Sequence, residues 1–214
     1  MKENKYDDEK FFHQYSQMSR SMDGLKGAGE WHALQKTLPD FQGKRVLDLG
    51  CGFGWHCQYA IEHGAVHALG IDLSHKMLEE ATKRNNSPRI EYKCMAIEDF
   101  DYTLESYDIV ISSLTFHYLE SFPDICEKVR RCLTPGGTFV FSVEHPGLRQ
   151  SRLVLWRARK HPPLAGRPLF LGRKTRGHFL GRKRDQIPQN TNYLCKWTYP
   201  KRFRNYRIRG TRTG

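Results

Sequence analysis

The chain has 214 residues, enough for one domain with a sizeable core and an appendage, and its 38% hydrophobic residues include no apolar run long enough for a membrane-spanning helix. Its formal net charge of +12 is unevenly shared: residues 148–214 hold 19 of the 35 Lys and Arg with a single acid, Asp185, whereas residues 1–147 are net acidic by six. Six cysteines (51, 57, 94, 126, 132 and 195) form no C-x-x-C pair, and the first ten residues are too polar for a signal peptide. Reduced thiols in a cytoplasmic protein are expected, with no disulfide framework and no metal site.

Residues 1–40 carry apolar positions at helical spacing (Phe11, Phe12, Tyr15, Met18, Leu25, Trp31, Leu34 and Leu38), broken by Gly24, Gly27 and Gly29. Two short helices around a bend are expected, forming a cap. From residue 46 a β/α rhythm begins. Strands are expected at 46–49, 66–71 and 90–95, with a helix from Trp55 to His63 closed by Gly64, and a second helix capped by Ser74 and carrying Met77, Leu78 and Ala81. A fourth strand at 107–111, a helix over 123–133 and a fifth strand at 138–143, entered by the turn Thr134-Pro135-Gly136-Gly137, complete the pattern. Such alternation predicts an α/β fold around a doubly wound, mostly parallel sheet.

The stretch Val46-Leu47-Asp48-Leu49-Gly50-Cys51-Gly52-Phe53-Gly54 organises this arrangement. A buried strand runs into a glycine loop that opens a helix, and glycine lets a ligand approach the backbone closely. Asp72 ends the second strand, where a carboxylate can accept both ribose hydroxyls of an adenosine group. That much fits a dinucleotide or S-adenosylmethionine. The glycine pattern is G-x-G-x-G with Trp55 following, which departs from the G-x-G-x-x-G that seats a pyrophosphate. Asp48, inside the first strand, suits a ligand carrying a cationic amino group and a sulfonium.

Five segments together, VLDLGCGFG (46–54), GIDLS (70–74) with Met77, MAIEDF (95–100), YDIVISSLTFHY (107–118) and LTPGGTFVFSVEHP (133–146), resemble the class I S-adenosylmethionine-dependent methyltransferases, close to the ubiquinone/menaquinone-type and other small-molecule enzymes. The resemblance covers about half of the chain. It implies a Rossmann-like fold and S-adenosylmethionine as cofactor. Asp48, Gly50 and Gly52 would line the methionine part, with Leu49, Cys51 and Gly54 also cofactor-binding, and Asp72 would hold the ribose. Leu73, Met77, Ala96, Ile97 and Glu98 would meet the adenine. Ser113 and Leu114 would flank the reacting centre, and Tyr15 and Arg20 would close over the cofactor from the cap. His117 is the candidate general base, its unperturbed pKa suiting proton removal near neutrality. Each residue also has a plainer reading: Asp72 as a helix cap, Met77 as core, His117 as a helix-start or packing residue, and Tyr15 with Phe12 and Trp31 as the fastening of the N-terminal helices. His63 and His67 are separated by Gly64, so a metal pair is not expected.

Beyond Gly147 the rhythm fails. Leu153-Val154-Leu155-Trp156 is followed by Arg/Lys/Gly/Pro-rich sequence that would bury little and is expected to be disordered by itself. Enzymes of the resembling class have an antiparallel strand pair after the fifth strand. Nothing past Val143 alternates as such strands do, so missing or aberrant strands are expected and, if the tail is out of frame, an unpaired fifth-strand edge. One reading makes this basic segment an arm for RNA or DNA, with Tyr193, Trp197, Tyr199, Phe203 and Tyr206 for stacking. The favoured reading is a frameshift: a one-base offset turns Gly and Arg codons into acidic ones, and the offset text over 171–187 and 193–212 looks like a family C-terminus. The expected function is methyl transfer from S-adenosylmethionine to a small-molecule acceptor. The alternatives are a nucleic-acid methyltransferase or binder guided by the tail, and an inactive truncated enzyme.

Overall fold

A computed structural model of the chain describes residues 4–144, 152–160 and 170–178, with side chains up to residue 143. The cap is three short helices, α1 (Glu9–Ser16), α2 (Ser19–Met22) and α3 (Trp31–Gln35), rather than two, with a single turn of 3-10 helix at Lys5–Asp7 and another at Gly24–Gly27. Asp8 caps α1 by accepting from the Phe11 amide at 2.8 Å. Each helix runs for only one or two turns, so the stability of this segment comes from packing rather than from helix formation alone.

The core alternates as expected: β1 (Arg45–Leu49), α4 (Trp55–Glu62), β2 (His67–Asp72), α5 (His75–Arg84), β3 (Ile90–Cys94), β4 (Tyr107–Ser113), α6 (Phe122–Cys132) and β5 (Leu133–Glu144). Gly64 adopts φ +93° just past the end of α4, and the Ser74 hydroxyl accepts from the Met77 amide at 3.1 Å to cap α5. β1 pairs in parallel with β2 and β4, β2 with β3, and β4 with β5. The turn expected at Thr134–Gly137 lies inside β5 as an irregularity. Partners jump from Leu133 to Thr138 while β4 advances only from Tyr107 to Ile109, and Gly136 takes φ +80°.

Strand alternation divides the core into two layers. On one face Leu47, Leu49, Leu69, Ile71 and Val110 pack with Ile125 and Val129 of α6; on the other Val46, Ala68, Ile109 and Ile111 pack with Cys57, Ala60 and Ile61 of α4. Asp48 shares the parity of Val46. It therefore projects into the α4 layer and is fully buried there.

The C-terminal expectation is corrected. β6 (Arg152–Lys160) pairs antiparallel with β5, and β7 (Phe170–His178) pairs antiparallel with β6, giving the order β3-β2-β1-β4-β5-β6-β7. The edge of β5 is thus covered. Ladder bonds come from the backbone, and the Leu153–Trp156 run has β-favouring residues, so pairing needs no strict polar–apolar alternation. Expectations of disorder or nucleic-acid stacking at residues 145–151, 161–169 and 179–214 fall outside the described residues.

Candidate cofactor site

The site lies at the carboxyl ends of β1, β2 and β4, where connections depart to opposite sides of the sheet. After Leu49 the chain turns through Gly50 at φ +77° and Gly52 at φ +53°. A Cβ on Gly50 would sit 2.2 Å from the Thr115 hydroxyl oxygen, so β4's exit loop presses directly on the turn. At Gly52 a Cβ would meet nothing within 4 Å: the space before its backbone is open. Gly54 immediately precedes α4, against the Tyr92 hydroxyl. Cys51 is buried, and the amides of Gly50 and Cys51 both donate to the Ile71 carbonyl, at 2.8 and 3.0 Å.

Asp72 closes the other side. One carboxylate oxygen accepts from the Gly52 amide at 2.8 Å and the other from the Ser74 amide at 3.0 Å. Burial raises its pKa against these backbone bonds. A carboxylate offers about four acceptor positions, so capacity remains for a ligand. The capping role weighed for Asp72 is therefore present and compatible with a binding role.

Asp48 is treated differently. Its Oδ2 accepts from the Cys57 thiol at 3.7 Å and lies 3.8 Å from His56 Nδ1; its Oδ1 has no partner. Burial pushes the carboxyl up to about 7, against the Cys57 bond, with the Asp72 charge adding to the rise. Burial also pushes His56 down to about 4, leaving it neutral at pH 7.

Tyr15 of α1 packs edge-on against Phe53, with ring centroids 6.0 Å apart, and against Tyr6 at 5.2 Å. Arg20 of α2 donates to Glu30 Oε1 at 2.7 Å, and the Ser113 hydroxyl donates to the same oxygen at 3.1 Å. Leu114 follows β4 at φ +55°, a strained conformation for leucine, with its amide donating to the Ser142 carbonyl at 3.0 Å. The residues expected around adenine lie beside Asp72: the Met95 amide donates to the Asp72 carbonyl at 2.9 Å, which brings Ala96, Ile97 and Glu98 alongside Leu73. Met77 is 2% exposed, and Ile97 packs within the core layer beneath β2.

His117 stands in the 3-10 turn Phe116–Tyr118, half-buried, with Nδ1 unpartnered. Burial pushes its pKa down to about 4, so the ground for naming it a base, an ordinary pKa near neutrality, does not hold in the fold. It is a neutral acceptor at pH 7.

Glu30, Thr115, Ser142 and Asp7 were not read from the sequence. Asp7 bonds the Ser74 hydroxyl at 2.5 Å and the Lys76 amide at 3.2 Å, and Asn4 donates to the Leu73 carbonyl at 3.1 Å, so the N-terminal turn is fastened to the start of α5. The Tyr6 and Tyr118 hydroxyls lie 3.4 Å apart above it.

A parallel sheet with a glycine loop after β1 and an acid ending β2 defines a Rossmann-like nucleoside-binding domain. Residues 47–141 match the methyltransferase domain family. An uncharacterized protein of Haemophilus influenzae is 38% identical over 147 residues, covering 66% of this chain and 58% of that protein. A ubiquinone biosynthesis O-methyltransferase of Neisseria meningitidis is 36% identical, covering 48% of this chain and 45% of that enzyme. Among solved structures, an S-adenosylmethionine-dependent methyltransferase from Mesorhizobium loti superposes with a TM-score of 0.56 at 46% identity, over 57% of this chain and 56% of that one. The class to which residues 47–141 are similar is thus the class I S-adenosylmethionine-dependent methyltransferases. The chain spans roughly half to three-fifths of the length of these relatives.

The cofactor of this class is S-adenosylmethionine, and two features of the site fit it. The orphaned Asp48 Oδ1 is an acceptor wanting a donor, and a cationic group would hold the carboxylate ionised. The open space at Gly52 beside the Asp72 carboxylate is a cradle that a side chain would fill.

Proposed function

We propose that this chain transfers a methyl group from S-adenosylmethionine to a small-molecule acceptor. The observation that carries the reading is the pairing of Asp72 with the Gly52 amide across an open glycine turn, one strand from the unpartnered Asp48 oxygen. The cofactor, when bound, supplies an already activated methyl group on a sulfonium, so the protein's work is alignment, desolvation and proton handling. Asp72 would hold the ribose hydroxyls and Asp48 the amino group. Leu73, Met77, Ala96, Ile97 and Glu98 would enclose the adenine, with Leu49, Gly50, Cys51, Gly52 and Gly54 forming the floor. Tyr15 and Arg20 would close the cap, which excludes water from the reacting centre beside Ser113 and Leu114. His117, neutral at pH 7, would accept a hydrogen bond from the acceptor more readily than a full proton.

The reduced cysteines support a cytoplasmic location, with Cys51, Cys57, Cys94, Cys126 and Cys132 all free thiols. No helix among the described residues is long and apolar enough to cross a membrane. The basic composition of residues 148–214 favours a second reading, in which the acceptor is a nucleic acid. Salt-sensitive RNA binding that vanishes when residues 179–214 are deleted, with β6 and β7 kept, supports that reading, and salt-independent turnover on a small acceptor supports the first.

The decisive experiment is calorimetric titration with S-adenosylhomocysteine, with Asp72→Ala as control, followed by methyl transfer from labelled cofactor to a panel of small acceptors. A folded protein that gives no heat with S-adenosylhomocysteine refutes the assignment. Binding without transfer to any acceptor supports an inactive enzyme.

A further inference from the structure

Four polar side chains form a buried line from the sheet into the cap. Ser142 of β5 and Ser113 of β4 are register partners with hydroxyls 2.9 Å apart. Ser113 donates to Glu30 Oε1 at 3.1 Å, and Arg20 donates to the same oxygen at 2.7 Å. The Glu30 side chain is 1% exposed and its Oε2 has no partner, whereas Arg20 is 24% exposed. The guanidinium has five N–H donors in a rigid fork and makes no other hydrogen bond among the described residues.

This arrangement is costly for stability alone. A carboxylate taken fully out of water with one oxygen unsatisfied loses several kcal/mol of hydration, which a single ion pair and hydroxyl offset only in part. An apolar side chain could fill the same volume at less cost. What the carboxylate alone provides is a short charge-assisted bond that holds one corner of the Arg20 fork and leaves the remaining donors pre-aimed.

We infer that Glu30 is a positioning residue, anchored through Ser113 and Ser142, that aims the free edge of Arg20 at the carboxylate of the cofactor's methionine end. The inference rests on the cofactor reading above and deepens it. Glu30 itself does not touch the ligand. Through it the end of β4, where the acceptor would sit, and the cap that covers the cofactor share one hydrogen-bonded unit.

The test compares two ligands by calorimetry: S-adenosylhomocysteine, and 5′-methylthioadenosine, which keeps the nucleoside and thioether but lacks the amino-acid end. Glu30→Gln is expected to weaken S-adenosylhomocysteine by about tenfold, the size of one charge-assisted hydrogen bond, and to leave 5′-methylthioadenosine unchanged. Arg20→Met should give the same selective loss, and the double variant should be no worse than Arg20→Met alone. Equal weakening of both ligands by Glu30→Gln, no weakening of either, or additive losses in the double variant overturns the inference. Should Glu30→Gln fail to fold, Ser113→Ala removes the second donor from the same oxygen. It is read by the same ratio, a selective loss supporting the inference and an unselective or absent one overturning it. Wild-type protein that binds neither ligand refutes the cofactor reading itself, an outcome visible before any variant is made.

Discussion

Two carboxylates one strand apart meet opposite treatment. At the tip of β2, Asp72 has an amide on each oxygen, whereas inside β1, Asp48 is sealed beneath α4 with one oxygen unpaired. The first is a finished piece of architecture that still has acceptor capacity to spare. The second is unfinished, and an unfinished buried acceptor is a sign of something that arrives later. Neighbouring strands thus hold one satisfied carboxylate and one unsatisfied one.

The sharpest way to break this contrast is Asp72→Ala. It removes the acceptor of two backbone bonds and of the expected ribose bonds together, so affinity for S-adenosylhomocysteine should fall by about a hundredfold or more in calorimetry. The glycine turn offers a second cut. Gly50→Ala drives a methyl into Thr115 at a left-handed φ and should cost about 3 kcal/mol in denaturant unfolding. Gly52→Ala meets no protein atom, so its stability cost should stay near about 1 kcal/mol of backbone strain while ligand binding is lost to the occupied cradle. Equal effects of the two on binding and stability would remove the distinction between floor and cradle.

Asp48→Asn should also weaken ligand binding, but it should stabilise the free protein. The folded carboxyl titrates near 7, above its ordinary 3.8, so its contribution to stability is complete below the unfolded pKa and is lost as pH rises through about 7. The variant's thermal midpoint should match wild type at pH 4 and exceed it by about 5 °C at pH 8. The smallest effect is expected at His117, whose depressed pKa of about 4 gives the opposite slope, with stability present above about 6.5 and lost on acidification through 4. His117→Gln should soften the fall in thermal midpoint between pH 6.5 and 4 by about 2 °C.

The sheet from β1 to β5 was legible because buried parallel strands, glycine punctuation and helix caps are local signals. Asp48, Gly52 and Asp72 stood out because each sits at a fixed place within such a unit. Glu30 did not, since an acid before a short helix reads as an ordinary solvated charge until α2 and β4 fold against it. Thr115 against Gly50 is likewise a contact between loops far apart in the chain. The parity of Asp48 placed it in the α4 layer, but its missing partner is a property of three dimensions. β6 and β7 are hidden in the sequence for a different reason: their pairing depends on backbone and not on alternation, and their arginines carry the signal of a solvent-seeking run.

The first turn of α5 borrows a stabilising group from far away. Asp7 reaches across to Ser74 and the Lys76 amide, so α5 and the 3-10 turn at Lys5–Asp7 share a clasp. Any opening of that turn would strip the Lys76 amide of its acceptor at the same moment. Hydrogen–deuterium exchange at that one amide therefore reads how firmly the clasp holds, in the native protein and without a ligand label.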